Sequence, residues 1–165
     1  MMPSHEDIPV DALREAARNP ELIAAVGSLY QEVGDEIAAR APTCWNRGDC
    51  CRFGAYGHRL YVTAVEVAYY LSHDRAPVRA TGPSSGLPVL EGPEADACPH
   101  AFDGQCHARA ARPLGCRIFY CDPAAQDWQG PLTETYLARL RELHERFDVA
   151  YFYADWMQVM RALGP

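Results

Sequence analysis

Lysine is missing altogether: all fifteen basic residues of this 165-residue chain are arginine. That excludes Schiff-base chemistry on a lysine and any phosphate loop built on one. No run of 18 uncharged apolar residues occurs, so no membrane-spanning helix is expected. The first residues, Met1 to Asp7, carry neither a basic region nor an apolar stretch, and the absence of a visible signal peptide leads to a cytoplasmic expectation. A basic surface is lacking too. The net charge of −7 repels phosphate backbones, so neither nucleic acid nor membrane is an expected partner.

With 48% apolar residues and this length, the chain can bury one core but not two comfortable ones. Its charge is unevenly spread. Residues 1–43 hold three arginines against eight acids, residues 44–122 eight against eight, and residues 123–165 four against six. The expected organisation follows the same boundaries: an N-terminal helical segment (1–43), a cysteine-rich region (44–122) and a C-terminal helical segment (123–165), all within one domain.

Helices account for both flanks. Asn19, Pro20 and Glu21 supply an N-cap, a first-turn proline and a first-turn acid. The stripe Leu22, Ile23, Val26, Leu29, Tyr30, Val33 and Ile37 follows at helical spacing and Pro42 stops it. A shorter helix is expected from about Pro9 to Arg18. Thr63 and Glu66 form a capping box opening another, with Val65, Ala68, Tyr69 and Leu71 on its face. The stripe Leu132, Tyr136, Leu140, Leu143 and Phe147 predicts a helix from Pro131, and a last one is expected from Ala154 to Leu163. Only Arg117 to Tyr120 looks like a strand of any length. Residues 76–97, rich in Pro, Gly and Ser, predict a long loop. The fold class is mainly α, a small single domain with helices flanking an irregular, metal-organised middle.

That middle holds Cys44, Cys50, Cys51, Cys98, Cys106, Cys116 and Cys121, and neither flank holds any. Structural cysteines act as small hydrophobes on helix faces. These instead sit beside Gly, Asp, Pro and Arg. In a reducing compartment such thiols are metal ligands or redox groups, and soft thiolate suits zinc, copper(I) and iron-sulfur centres. Adjacent side chains diverge, so Cys50 and Cys51 are expected to serve different atoms. His100 and His107, beside Cys98 and Cys106, are candidate additional ligands, with His58 a weaker one. His5, His73 and His144 are expected to face solvent, and Asp148 and Asp155 to lie on a solvated helix face.

The run Cys44-Trp45-Asn46-Arg47-Gly48-Asp49-Cys50-Cys51, then Cys98-Pro99, Cys106 and Arg112-Pro113-Leu114-Gly115-Cys116-Arg117-Ile118-Phe119-Tyr120-Cys121, resembles the YkgJ-like cysteine-cluster proteins, zinc- or iron-chelating domains. Leu60 to Glu66 is similar to that family's short strand leading into a capped helix. The resemblance covers about residues 44 to 122. The family pattern is CxxCxxCC with eight cysteines, and Arg47 stands where the second would be; arginine cannot ligate a metal. The resemblance implies a metal centre on the seven cysteines, and the related cysteine region of flagellin lysine N-methylases puts an iron-sulfur cluster ahead of zinc.

Arg47, Arg112 and Arg117 are the candidate cofactor-binding arginines, able to offset thiolate charge or hold an anionic partner. Three functions fit: an iron-sulfur or iron protein of redox or group-transfer chemistry acting on a protein or small molecule, a binding module with structural zinc, and a thiol switch or metal-trafficking protein. No nucleotide fingerprint accompanies them; Gly82 to Gly86 lacks the strand and helix such a loop needs.

Overall fold

The computed structural model describes residues 8–45, 48–73, 76–78 and 97–164. His5, Arg47 and most of the expected 76–97 loop, with the Gly82 to Gly86 stretch, lie outside them. Among the described residues are seven α-helices and four short strands: α1 (Val10–Ala16), α2 (Pro20–Arg40), α3 (Phe53–Tyr56), β1 (Tyr61–Thr63), α4 (Ala64–Ser72), β2 (Ala101–Phe102), β3 (Gln105–Cys106), α5 (Leu114–Ile118), α6 (Gln126–Arg146), β4 (Tyr153–Asp155) and α7 (Trp156–Leu163). The mainly α expectation holds. No helix among these residues is long and apolar enough to cross a membrane.

Helix α2 begins as its sequence dictates. Asn19 Oδ1 accepts from the Glu21 and Leu22 amides at 3.1 and 3.2 Å, satisfying donors that have no partner inside the helix. Leu22, Val26, Leu29, Tyr30, Val33 and Ile37 are buried along one face, and Ala41 ends the helix in the left-handed conformation at φ 45°. The capping box at Thr63 and Glu66 is present and opens α4 after β1.

Helix α4 is the hub. Its residues 64–68 are all buried. Val65 and Ala68 face a core shared with α2, α5 and α6, while Ala64 and Val67 face a second core with Leu13, Cys98, Trp156 and Val159. The β1 strand pairs antiparallel with β4, Tyr61 opposite Asp155 and Thr63 opposite Tyr153, which brings the C-terminal segment back beside α4.

Four expectations need correction. The strand expected over Arg117 to Tyr120 is not there: Arg117 and Ile118 end helix α5, which starts after Pro113 where the buried Glu66 carboxylate accepts the Leu114 amide at 2.7 Å, and Phe119 and Tyr120 follow it outside any strand. Tertiary contact overrides the local β preference. Helix α6 begins at Gln126, five residues before Pro131; the proline forfeits one backbone bond on an exposed turn, where that loss is small. Asp155 is 5% exposed, caps α7 by accepting from Met157 and Gln158, and pairs with Arg59 at 3.1 Å. His144 is buried at 4% exposure, and His73 is half-buried against Tyr69.

The His144 environment specifies a neutral ring. Nδ1–H donates to the Val149 carbonyl at 2.9 Å, and Nε2 accepts the Val65 amide at 3.5 Å in the first turn of α4. Burial lowers its pKa, and burial lowers that of His100 as well. Below about pH 6.5 the unfolded chain therefore takes up protons that the folded state refuses. For these two histidines stability should be flat above that pH and fall beneath it, by up to about 1.4 kcal/mol per pH unit each, until the folded pKa is passed; a Cys50 thiol lowered to about 6 adds a fall of the same sign from its ordinary range down to that pH. Urea midpoints measured on metal-free protein from pH 7.5 down to 5 check this; a flat series would overturn the neutral assignment.

Candidate metal centre

Five chain segments deliver the thiols to one place. After α2, the Thr43 amide donates to Asp122 Oδ2 at 2.9 Å, which draws the Cys44 segment to the Cys121 segment. A 3₁₀ turn over residues 49–51 presents Cys50 and Cys51. The Cys98 amide bonds the Cys51 carbonyl at 2.8 Å and docks the next segment on that turn. Strands β2 and β3 form a hairpin whose two-residue loop, Asp103 and Gly104, has φ of 51° and 72°, the positive pair that a tight type I′ turn demands. That hairpin carries Cys106. Helix α5, started by Glu66, carries Cys116, and Cys121 follows it.

The result is a cavity of about 200 Å³ lined by all seven cysteines. Cys98 is buried, Cys51, Cys106 and Cys116 are half-buried, and Cys44, Cys50 and Cys121 are exposed; no disulfide joins them. The expected divergence of the adjacent pair is not what the structure has. Cys50 Sγ and Cys51 Sγ are 3.9 Å apart. Two ligands on a tetrahedral ion at about 2.3 Å would be about 3.8 Å apart, so this pair could share one atom.

Among the described residues no carboxylate lines the cavity, although the chain is acidic overall, and Arg109 and Arg112 do. Cys50 is the thiol prepared to ionise. The Cys51 thiol donates to it, and Arg112 and His58 add positive charge, which together lower its pKa to about 6. Cys51, as the donor of that pair, is pushed up. Burial pushes up Cys98 and Cys116, and each thiolate nearby pushes further. A soft metal entering here would displace protons from several sulfurs.

The candidate histidines are committed elsewhere to different degrees. His100 is 1% exposed; Nδ1–H donates to the Pro77 carbonyl at 2.9 Å and Nε2 accepts the Tyr70 hydroxyl at 3.0 Å, so neither nitrogen is open to a metal in this arrangement. His107 stacks on Phe102 at 3.7 Å and bonds its carbonyl at 3.3 Å. His58 bonds the Cys50 carbonyl at 3.0 Å and stacks on Phe119, supporting the thiol turn from behind.

The arginines divide as well. Arg112 lines the cavity, with Nε on the Arg109 carbonyl at 3.3 Å. Arg117 does not line it. Its guanidinium donates to the Ala110 and Arg112 carbonyls, both at 2.7 Å, and lies 4.0 Å over the Tyr30 ring, clamping the strap before α5. Sequence reasoning missed Trp45, Tyr70, Phe119, Tyr120 and Trp156, all of which line the cavity. Aromatic residues near helices read as core, and nothing local separates these from the rest.

Among the described residues, no three His, Cys, Asp or Glu side chains are gathered closely enough to hold a single ion as they stand. Comparison with protein-family models, with curated proteins and with solved structures found no match to this chain.

Proposed function

We propose that this chain is a metal-binding protein whose cysteine-lined cavity takes an iron-sulfur centre, used in redox or group-transfer chemistry. The observation that carries the reading is that seven thiols, from segments as far apart as Cys44 and Cys121, line one cavity of about 200 Å³. A lone tetrahedral ion draws its sulfurs into contact and leaves no void. A ring of thiols around a space of this size suits a centre of several atoms. Arg109 and Arg112, in a lining that holds no carboxylate among the described residues, supply positive charge beside an anionic thiolate cluster. The likeness of these same residues to the YkgJ-like pattern points the same way.

One observation favours a second reading, a structural zinc site in a binding module. The 3.9 Å separation of Cys50 Sγ and Cys51 Sγ is that of two ligands on one zinc ion. Anaerobic purification, a visible absorption spectrum, and metal and sulfide analysis decide between them. A broad visible charge-transfer absorption with iron and acid-labile sulfide is the expected result. Stoichiometric zinc without sulfide would overturn the iron-sulfur reading in favour of the second.

A further inference from the structure

Seven thiols exceed what one tetrahedral ion or one cubane cluster takes, and the structure divides them into two sets. Cys44, Cys50 and Cys121 are exposed, whereas Cys51, Cys106 and Cys116 are half-buried and Cys98 is buried. The packing follows the same division. Cys51, Cys98 and Cys116 lie against the second core with Phe53 and Trp156, which also line the cavity, so these sulfurs belong to its floor. Cys106 is joined to them through the backbone: the Ala101 amide bonds the Cys98 carbonyl at 3.0 Å, and Ala101 is the strand partner of Cys106. Cys44 and Cys121 lie outside any helix or strand, with the exposed Trp45 and Phe119 in the same lining. They form the mouth.

One pair crosses the division. Cys50 is exposed and Cys51 half-buried, and their sulfurs are 3.9 Å apart. An ion about 2.3 Å from each is held by both at once, so it can pass between them without release to water. The other sulfurs are not gathered in advance, since among the described residues no three ligating side chains stand close enough for one ion. Ligands must therefore be recruited one after another.

We propose that the thiols work as two sets: Cys51, Cys98, Cys106 and Cys116 hold the metal, and Cys44, Cys50 and Cys121 receive it at the mouth from a thiolate-bound donor, Cys50 passing it inward to Cys51. The proposal rests on the metal-binding reading above. Arg109 and Arg112 in the lining repel a bare cation and attract an anionic thiolate complex, which is why the donor is of that class. Each step is a ligand exchange. One bond from the metal to a donor sulfur breaks as one to a cysteine Sγ forms, the proton of the incoming thiol leaves on the departing thiolate, and nothing is oxidised or reduced.

The test presents the reduced, metal-free full chain with one equivalent of the NMR-active isotope of cadmium, complexed by 2-mercaptoethanol. At equilibrium, scalar coupling from cadmium to the β-protons of Cys51, Cys98, Cys106 and Cys116, and none to those of Cys44, Cys50 or Cys121, is expected. Combined Cys44→Ser, Cys50→Ser and Cys121→Ser should slow the growth of the thiolate-to-cadmium ultraviolet band about tenfold, within the range over which association rates vary among variants of one site, and leave the affinity nearly unchanged. Cys98→Ser should weaken binding more than about a hundredfold, beyond what loss of an outer partner of a ligand costs. Coupling to Cys44, Cys50 or Cys121 in the loaded protein, or loading as fast in the triple variant as in the unaltered chain, would overturn the division while leaving the metal-binding reading intact. Absence of any cadmium binding would overturn both. Melting of the metal-free variants controls for folding, and if one failed to fold, the couplings in the unaltered protein would still decide.

Discussion

Glu66→Ala is expected to cost about 3–5 kcal/mol of folding stability. The carboxylate is 2% exposed and accepts four hydrogen bonds: from the Thr63 amide at 2.7 Å, the Thr63 hydroxyl at 2.9 Å, the Leu114 amide at 2.7 Å and the Tyr30 hydroxyl at 3.2 Å. Burial pushes its pKa up and those four donors pull it back. Truncation leaves two buried amides and two hydroxyls facing a void. The hydroxyls can rotate to other acceptors, whereas the amides cannot, and an unsatisfied buried donor costs about 1–3 kcal/mol.

Against a total stability of about 5–15 kcal/mol, such a loss brings the variant close to unfolding. Glu66→Gln keeps one acceptor oxygen and should cost about 1–3 kcal/mol, since its amide must turn a donor toward Thr63 or Leu114. Urea unfolding of the metal-free proteins measures both. A loss below about 1 kcal/mol in Glu66→Ala would mean that Glu66 does not organise α5 as described.

The second large effect is metal-dependent. At metal a hundredfold above its dissociation constant, the loaded protein should gain about 2.7 kcal/mol over the metal-free one. For a chain of this size that is a rise in Tm of roughly 5–10 °C. Cys116→Ser should remove most of the rise and release metal while changing the metal-free Tm little, because serine is close in size to the half-buried thiol it replaces. Metal content and melting unchanged by Cys116→Ser would show that Cys116 is not a ligand.

Both predictions turn on α5, whose last two residues fall in the stretch, Arg117 to Tyr120, that the sequence marked as a strand. Local chemistry was legible where it was self-contained. Asn19 with Pro20 and Glu21 starts α2 through its own neighbours, and Thr63 with Glu66 starts α4 in the same way. Glu66 also reaches Leu114, 48 residues on, and no local pattern announces that second role. His144 and Asp155 misled for a related reason. Polar residues on a charged helix read as solvated, and only the fold reveals that one accepts the amide of Val65 and the other caps α7 against Arg59. The confinement of the cysteines to residues 44–121 pointed to the place where all seven meet. Trp156 carried no such mark, since a buried aromatic of the C-terminal helix reads as ordinary core although it lines the cavity.

The short ladder of β1 and β4 sets the tolerance of the chain to changes in length. Pairing Tyr61 with Asp155 closes a loop that contains most of the thiol-bearing segments. Closing a flexible loop grows more costly only with the logarithm of its length, by about 0.6 kcal/mol for each doubling. A closure on the order of ninety residues is therefore only about 1.8 kcal/mol dearer in entropy than one of eleven, three doublings shorter. Residues can be added to or removed from the connection between α4 and Cys98 at a cost of tenths of a kilocalorie in closure entropy, so long as α4 and Trp156 still meet across the ladder and Pro77 still reaches His100.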